Sequence, residues 1–164
     1  MTFYDELLEG AIDLHCHSTA SDGTLAPGDV VARAAANGVK VLALTDHDDC
    51  SGLDAAYRAA DACGVTLIPG VEISVSWRRW TVHVVGLRVD PASARLGAGL
   101  ADLRTGRMAR AEAMAADLDR IGFRGSLDGA RRWCASGTMI GRTHFARFLV
   151  EQGAARDVRG VFRH

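Results

Sequence analysis

Residues able to hold a metal ion recur in four clusters along the first half of the chain: His15-Cys16-His17 with Asp22, Asp46-His47-Asp48-Asp49, Glu72, and His83. Imidazole nitrogens combined with carboxylate oxygens suit zinc, manganese or iron, whereas magnesium and calcium favour all-oxygen shells. Residues two apart in an extended chain share a face, so His15 and His17 can grip one ion while Cys16 points away. A single glutamate can bridge two ions through its two oxygens, and Glu72 is the only glutamate in these clusters. Ions held a few ångströms apart lower the pKa of a water between them and clamp a phosphate. Each cluster alone also has a plainer reading. The His-x-His pair could be a satisfied polar cluster, and TDHDD could cap a helix. His83 could be a buried, hydrogen-bonded histidine, and Glu72 could pair with Arg78. The metal reading rests on their conjunction.

The elements that must position these residues alternate between strand and helix. Ala11–His15 is a short apolar run, Pro27–Asn37 a helix with Pro at its start and Gly38 as its stop, and Val39–Leu44 (VKVLAL) a buried strand. Leu53–Cys63 reads as a helix stopped by Gly64, Val65–Pro69 as a third strand and Trp80–Val89 as a fourth. This alternation predicts βαβ units around a parallel sheet, with the clusters at the C-terminal ends of the strands, where loops converge. Beyond Pro91 the pattern turns helical, over Leu96–Ile121, Leu127–Ala135, Thr143–Gln152 and Arg156–Arg163. The expected division is therefore an α/β metal-binding portion over 1–91 and a helical segment over 92–164.

The segments DLHCHSTASDG, LALTDHDD, IPGVEIS and HVVGL, in this order, resemble the polymerase-and-histidinol-phosphatase (PHP) metallophosphoesterases. GRTHFARFLVEQG and DVRGVFRH resemble the bacterial branch that hydrolyses nucleotide phosphates and trims RNA from its 5′ end. The resemblance implies a distorted β/α barrel with a helical insertion and two to three Mn, Fe or Zn ions. It implies that His15, His17 and Glu72 hold one ion, that Glu72 bridges to a second shared with His83, and that Asp22 and His47 hold a third. A hydroxide bridging two ions would then attack phosphorus. Asp13, Asp46 and Asp48 would orient the ligands. Arg142 and Arg147 would bind the substrate phosphate, either of them as a bidentate guanidinium. His144 would give a proton to the leaving oxygen. The same three residues could instead cap or solubilise their helix. Trp77, Trp80 and Trp133 could stack a base or serve as core.

Full members of the family continue with strands that carry a His-Pro motif and an Asp-x-His motif as further ligands, and neither motif follows here. A closed β/α barrel takes roughly 200 residues or more, so these 164 residues with a helical insert are expected to form only part of one. Either a missing C-terminal segment or self-association would complete the site, and the isolated chain is expected to be weakly active. The substrate implied is a nucleotide or the 5′ end of a short RNA. Alternatives are a histidinol-phosphate-type monoesterase and a non-catalytic module that only holds an ion.

Composition fits this picture. Residues 1–100 carry 13 acidic and 7 basic side chains and residues 101–164 carry 7 and 12, so an acidic half adjoins a basic one. No apolar run approaches the ~20 residues of a membrane span. The first residues lack the basic and apolar regions of a secretory signal, which predicts a cytoplasmic address. Cys16, Cys50, Cys63 and Cys134 lie far apart and read as free thiols.

Overall fold

The computed structural model describes residues 11–163 apart from 79, 136 and 138. The chain divides into two compact units, at Ala101 and Asp102. The first holds β1 (Ala11–Cys16), α1 (Pro27–Ala36), β2 (Val39–Leu44), α2 (Leu53–Cys63), β3 (Thr66–Trp77) and β4 (Trp80–Leu87). They form one open four-stranded sheet in the order β1-β2-β3-β4, with β1 and β4 at its edges. This is an α/β half-barrel.

Burial explains the order. Apart from the exposed Lys40, VKVLAL is apolar, and from Val41 to Leu44 the strand is buried throughout, as a central parallel strand must be. Leu42 and Leu44 face the helices, packing with Val31 of α1, with Leu53, Ala56 and Ala60 of α2, and with Val65. The α2 residues are spaced three and four apart, which is one helical stripe. Helix α2 ends where the sequence predicts, with Gly64 in the left-handed conformation at φ 65°.

The sheet departs from the all-parallel expectation at its far edge. Strands β1, β2 and β3 pair in parallel, but β3 and β4 are antiparallel. Strand β3 also runs on to Trp77, well past Pro69, so Glu72 lies within the strand and not after it. The reason was present in the sequence. Only Arg78 and Arg79 separate Trp77 from Trp80, whereas a parallel crossover takes a dozen residues or more. Arg78 adopts φ 56°, the positive value that a tight hairpin requires.

Helix α3 (Ala94–Arg120) runs across the division into the second unit, which also holds α4 (Ser126–Arg132), α5 (Arg142–Glu151) and α6 (Val158–Val161). The expected helix over Arg156–Arg163 is thus one turn, capped by the Asp157 side chain, which accepts the Gly160 N–H at 2.7 Å. The core of this unit gathers Ala111, Ala115, Ala130, Cys134, Met139, Ile140 and Phe145. All four cysteines are free. No helix among the described residues is long and apolar enough to cross a membrane.

Small residues let α4 and α5 approach closely. A Cβ added at Gly129 would fall inside the Phe148 ring. Alanine is the better helix former by about 1 kcal/mol, but overpacking a core costs about 1–3 kcal/mol. The steric cost should win, so Gly129→Ala is predicted to lower stability by about 1–2 kcal/mol in urea melts.

Candidate metal centre

The strand ends bring the predicted ligands together around one buried carboxylate. Glu72 is only 6% exposed. Backbone bonds fix its place: its N–H donates to Asp46 O at 3.0 Å, and its C=O accepts from Asp48 N at 2.9 Å. These bonds carry the β2–β3 pairing past Leu44 and set His47 directly beside Glu72. On the other side, Thr45 N donates to Cys16 O at 2.9 Å, which ties the end of β1 to the end of β2.

Histidines from three strands converge on this carboxylate. Oε2 of Glu72 lies 2.7 Å from His15 Nε2 and 3.0 Å from His17 Nε2, and the two imidazole nitrogens are 3.1 Å apart. Oε1 lies 3.3 Å from His83 Nδ1, and His47 Nδ1 is 3.8 Å from Oε2. Successive ring centroids of His15, His17, His47 and His83 are 5.1, 4.7 and 4.8 Å apart. The four imidazoles form a row.

Three overlapping groups have the makings of ion sites: His15, His17 and Glu72; His17, Asp22 and His47; and His47, Glu72 and His83. Ligand atoms at tetrahedral zinc bonds of about 2.0–2.2 Å stand roughly 3.3 Å apart. The nitrogen–oxygen and nitrogen–nitrogen separations in the first group are close to that. The donor set of four imidazoles, one glutamate and one aspartate is also that of a zinc, manganese or iron site. The residues fit the metal that the sequence implied.

The plainer readings fare differently. TDHDD does not cap α2, whose N-cap is Gly52 with no side-chain bond, and Asp49 instead accepts the Ser51 N–H at 2.6 Å. Glu72 is paired with histidines, while Arg78 lies over the Trp77 ring at 5.9 Å. Trp77 and Trp80 pair with each other across the hairpin, on the same side as the Val75–Val82 pair. Glu72, Ser74 and His83 lie on the opposite side, so the two tryptophans face away from the histidine row.

The aspartates flanking His47 anchor neighbouring segments. Asp46 accepts three hydrogen bonds: Ser18 N–H at 2.7 Å, Ser18 Oγ–H at 2.6 Å and Ser21 Oγ–H at 2.6 Å. Asp48 accepts the Ser74 N–H at 2.7 Å. Asp13 accepts the backbone N–H of His15 at 3.2 Å, within its own strand. Sequence reasoning missed Ser18, Ser21 and Ser74, although all three are buried beside the ligands. Their only signal was the run of small polar residues in HSTASDG and EISVS.

Arg142, His144 and Arg147 lie on α5 in the second unit. His144 is fully buried, and its Nδ1 accepts the Gly141 N–H at 3.0 Å. The Arg147 guanidinium sits over the Trp133 ring at 5.9 Å. Arg142 is exposed and borders an apolar cleft of about 250 Å³ with Met114, Phe145 and Phe162.

Two titrating groups record the local field. Burial pushes the Glu72 carboxyl up, but the hydrogen bond from His15 and the charges of His47, His17 and His15 outweigh it and hold the group below its ordinary value. A depressed carboxyl contributes stability that is present above the ordinary carboxylate range and lost as pH falls through the lowered value. In denaturant melts of the metal-free chain, Glu72→Gln is therefore predicted to flatten the loss of stability on acidification. Burial, with the Asp13 and Asp46 charges, pushes the Cys16 thiol up to about 12. Cys16 donates to Ala43 O at 3.2 Å, away from the histidines. Iodoacetamide at neutral pH is predicted to label exposed Cys63 and spare Cys16, as peptide mass mapping would show.

Comparison with known proteins places the chain in a family. Residues 13–125 match the PHP domain model. A 3′,5′-nucleoside bisphosphate phosphatase from Chromobacterium violaceum is 55% identical over 152 residues, covering 93% of this chain and 53% of the relative. A 5′-3′ exoribonuclease from Haemophilus influenzae is 45% identical over 151 residues, covering 92% and 54%. Among solved structures, an amidohydrolase from Chromobacterium violaceum with bound sulfate and no metal superposes with a TM-score of 0.89 at 55% identity, covering 93% of this chain and 54% of that one. The chain spans about half the length of the curated relatives it matches.

Proposed function

The chain belongs to the PHP domain family, and we propose that it carries the metal site of a phosphoesterase acting on a nucleotide or on the 5′ end of a short RNA. The observation behind this reading is the buried Glu72 carboxylate with imidazoles at 2.7, 3.0 and 3.3 Å from its two oxygens. The names of the phosphatase and exoribonuclease relatives support the substrate class.

In this reading His15, His17 and Glu72 hold one ion, Glu72 and His83 a second, and Asp22 with His47 a third. Two or three Mn, Fe or Zn ions, if bound there, would supply an activated water and a Lewis-acidic clamp for the phosphate oxygens. The residues do the rest. Glu72 spans neighbouring positions with its two oxygens, and backbone bonds hold it in place. Arg142 and Arg147 offer guanidinium groups for the substrate phosphate. His144 could donate to a leaving oxygen only if its ring, buried here with Nδ1 accepting the Gly141 N–H, were first uncovered.

The test is phosphate release by the purified chain with Mn²⁺ from a nucleoside 3′,5′-bisphosphate, a 5′-phosphorylated oligoribonucleotide and histidinol phosphate. The expected result is slow, metal-dependent release that favours the first two substrates and stops with a chelator. His17→Ala should lower it by more than about 100-fold, beyond the usual effect of outer contacts. Unchanged release in that variant would end the metal mechanism. Tight metal binding with no release from any substrate would favour a module that only holds ions.

A further inference from the structure

The tip of the β3–β4 hairpin carries groups that the histidine row does not use. Trp77 and Trp80 pair across it and are 65% and 61% exposed, so neither indole is core. Val75 and Val82, the next pair on that side, are exposed as well. The two residues that reverse the chain are Arg78 and Arg79. Two-residue reversals favour asparagine, aspartate and glycine, because their first position takes a positive φ. Arg78 takes it instead, at φ 56°, where a bulky side chain is strained. Its guanidinium lies over the Trp77 ring at 5.9 Å. No carboxylate occurs between Glu72 and Asp90, yet Arg78, Arg79 and Arg88, three of the seven basic residues of the first hundred, fall there. Indoles open to solvent beside guanidinium groups, on a turn that glycine would form with less strain, suit an anion with flat rings.

We propose that this tip binds single-stranded RNA outside the metal centre, with Trp77 and Trp80 stacking its bases and the arginines of the turn drawing in its phosphates. RNA as the ligand rests on the substrate class proposed above, and charge favours it. Every base offers a flat face to an indole, and guanidinium binds phosphate bidentately. A second copy of the chain fits less well. A symmetric contact through the tip would set arginine against arginine, with no carboxylate in the hairpin to answer them. A lipid surface would take an apolar apex between the indoles, where this turn has two charges. Trp77 lies five residues beyond Glu72 on the same strand, about 16 Å at about 3.3 Å per residue. A few nucleotides beyond a 5′ end held at the histidine row span that length.

The experiment measures binding without catalysis. A fluorescein-labelled oligouridylate of about 12 nucleotides is titrated with the chain in EDTA, and its anisotropy is followed as salt is raised. The wild-type chain should bind it, with tryptophan emission quenched and log affinity falling linearly with log salt. An RNA duplex of the same length, its bases already stacked, should bind more weakly. Trp80→Ala should weaken binding about tenfold. Arg78→Gly should lower the salt slope by about 0.7 and weaken binding severalfold. Its melting temperature should be unchanged or higher, because glycine relieves the positive φ. Lost affinity at undiminished stability is what a merely structural role would not produce, and this variant decides alone if Trp80→Ala fails to fold. No binding by the wild-type chain would overturn the inference, and so would equal affinity in both variants. It is also overturned if tryptophan emission responds to anionic lipid vesicles and not to RNA, or if sedimentation shows a dimer that Trp80→Ala dissolves. Binding in EDTA with no phosphate release once metal is added would remove the phosphoesterase reading and leave this one. Release without RNA binding at the tip would do the reverse.

Discussion

A carboxylate removed from water must be compensated, because the effective penalty for burying an ion is several kcal/mol. Glu72 meets that requirement with imidazoles drawn from the ends of β1 and β2 and from the middle of β4. Most of the first unit can be understood as the means of bringing them there. The helices α1 and α2 cover Leu42 and Leu44 and hold β2 in the centre of the sheet. The backbone bonds from Asp46 and Asp48 to Glu72 then extend the ladder beyond the last regular pair, so the ligand-bearing turns inherit the rigidity of the sheet. Without a cation the histidines and the carboxylate partner each other; in the proposed function the same atoms would be ligands.

Much of this was legible in the residues. The clustering of these histidines and carboxylates could be read because each member ends or occupies a segment whose pattern is strong: VKVLAL is largely apolar and of buried-strand length, and His15 and His17 share a face by simple alternation. The helix stop at Gly64 was legible for the same reason, since one residue type does one conformational job there. The antiparallel β4 was misread although SWRRW contains the answer, because the βαβ rhythm of the preceding elements was carried one step too far. The serines were barely legible. A small hydroxyl residue looks the same in a solvent loop and beside a buried aspartate, and only the fold shows that Ser18, Ser21 and Ser74 are buried.

The helical unit is built on a different principle. Its core is dominated by alanines, with Met139, Ile140 and Phe145 filling the remaining space, so helix faces come close and side-chain volume is low. Its arginines lie outside that core and are engaged in several ways: Arg120 with Asp117 at 2.9 Å, Arg131 with Asp128 at 2.9 Å, and Arg147 over Trp133. Exposed pairs of this kind contribute little to stability, about 0.2–1 kcal/mol each. Such groups can therefore change partners at little cost, whereas the histidine row cannot.

The β3–β4 hairpin carries two site residues on one side of its pleat and a pair of tryptophans on the other, joined by a reversal of only two residues. Such an element has no slack in length. Deleting or inserting one residue between Glu72 and Trp77 would turn the downstream half of the strand over. Ser74 and its neighbours would then be carried outward and the indole rings inward. Drift in this segment is thus confined to swaps of side chain at constant length.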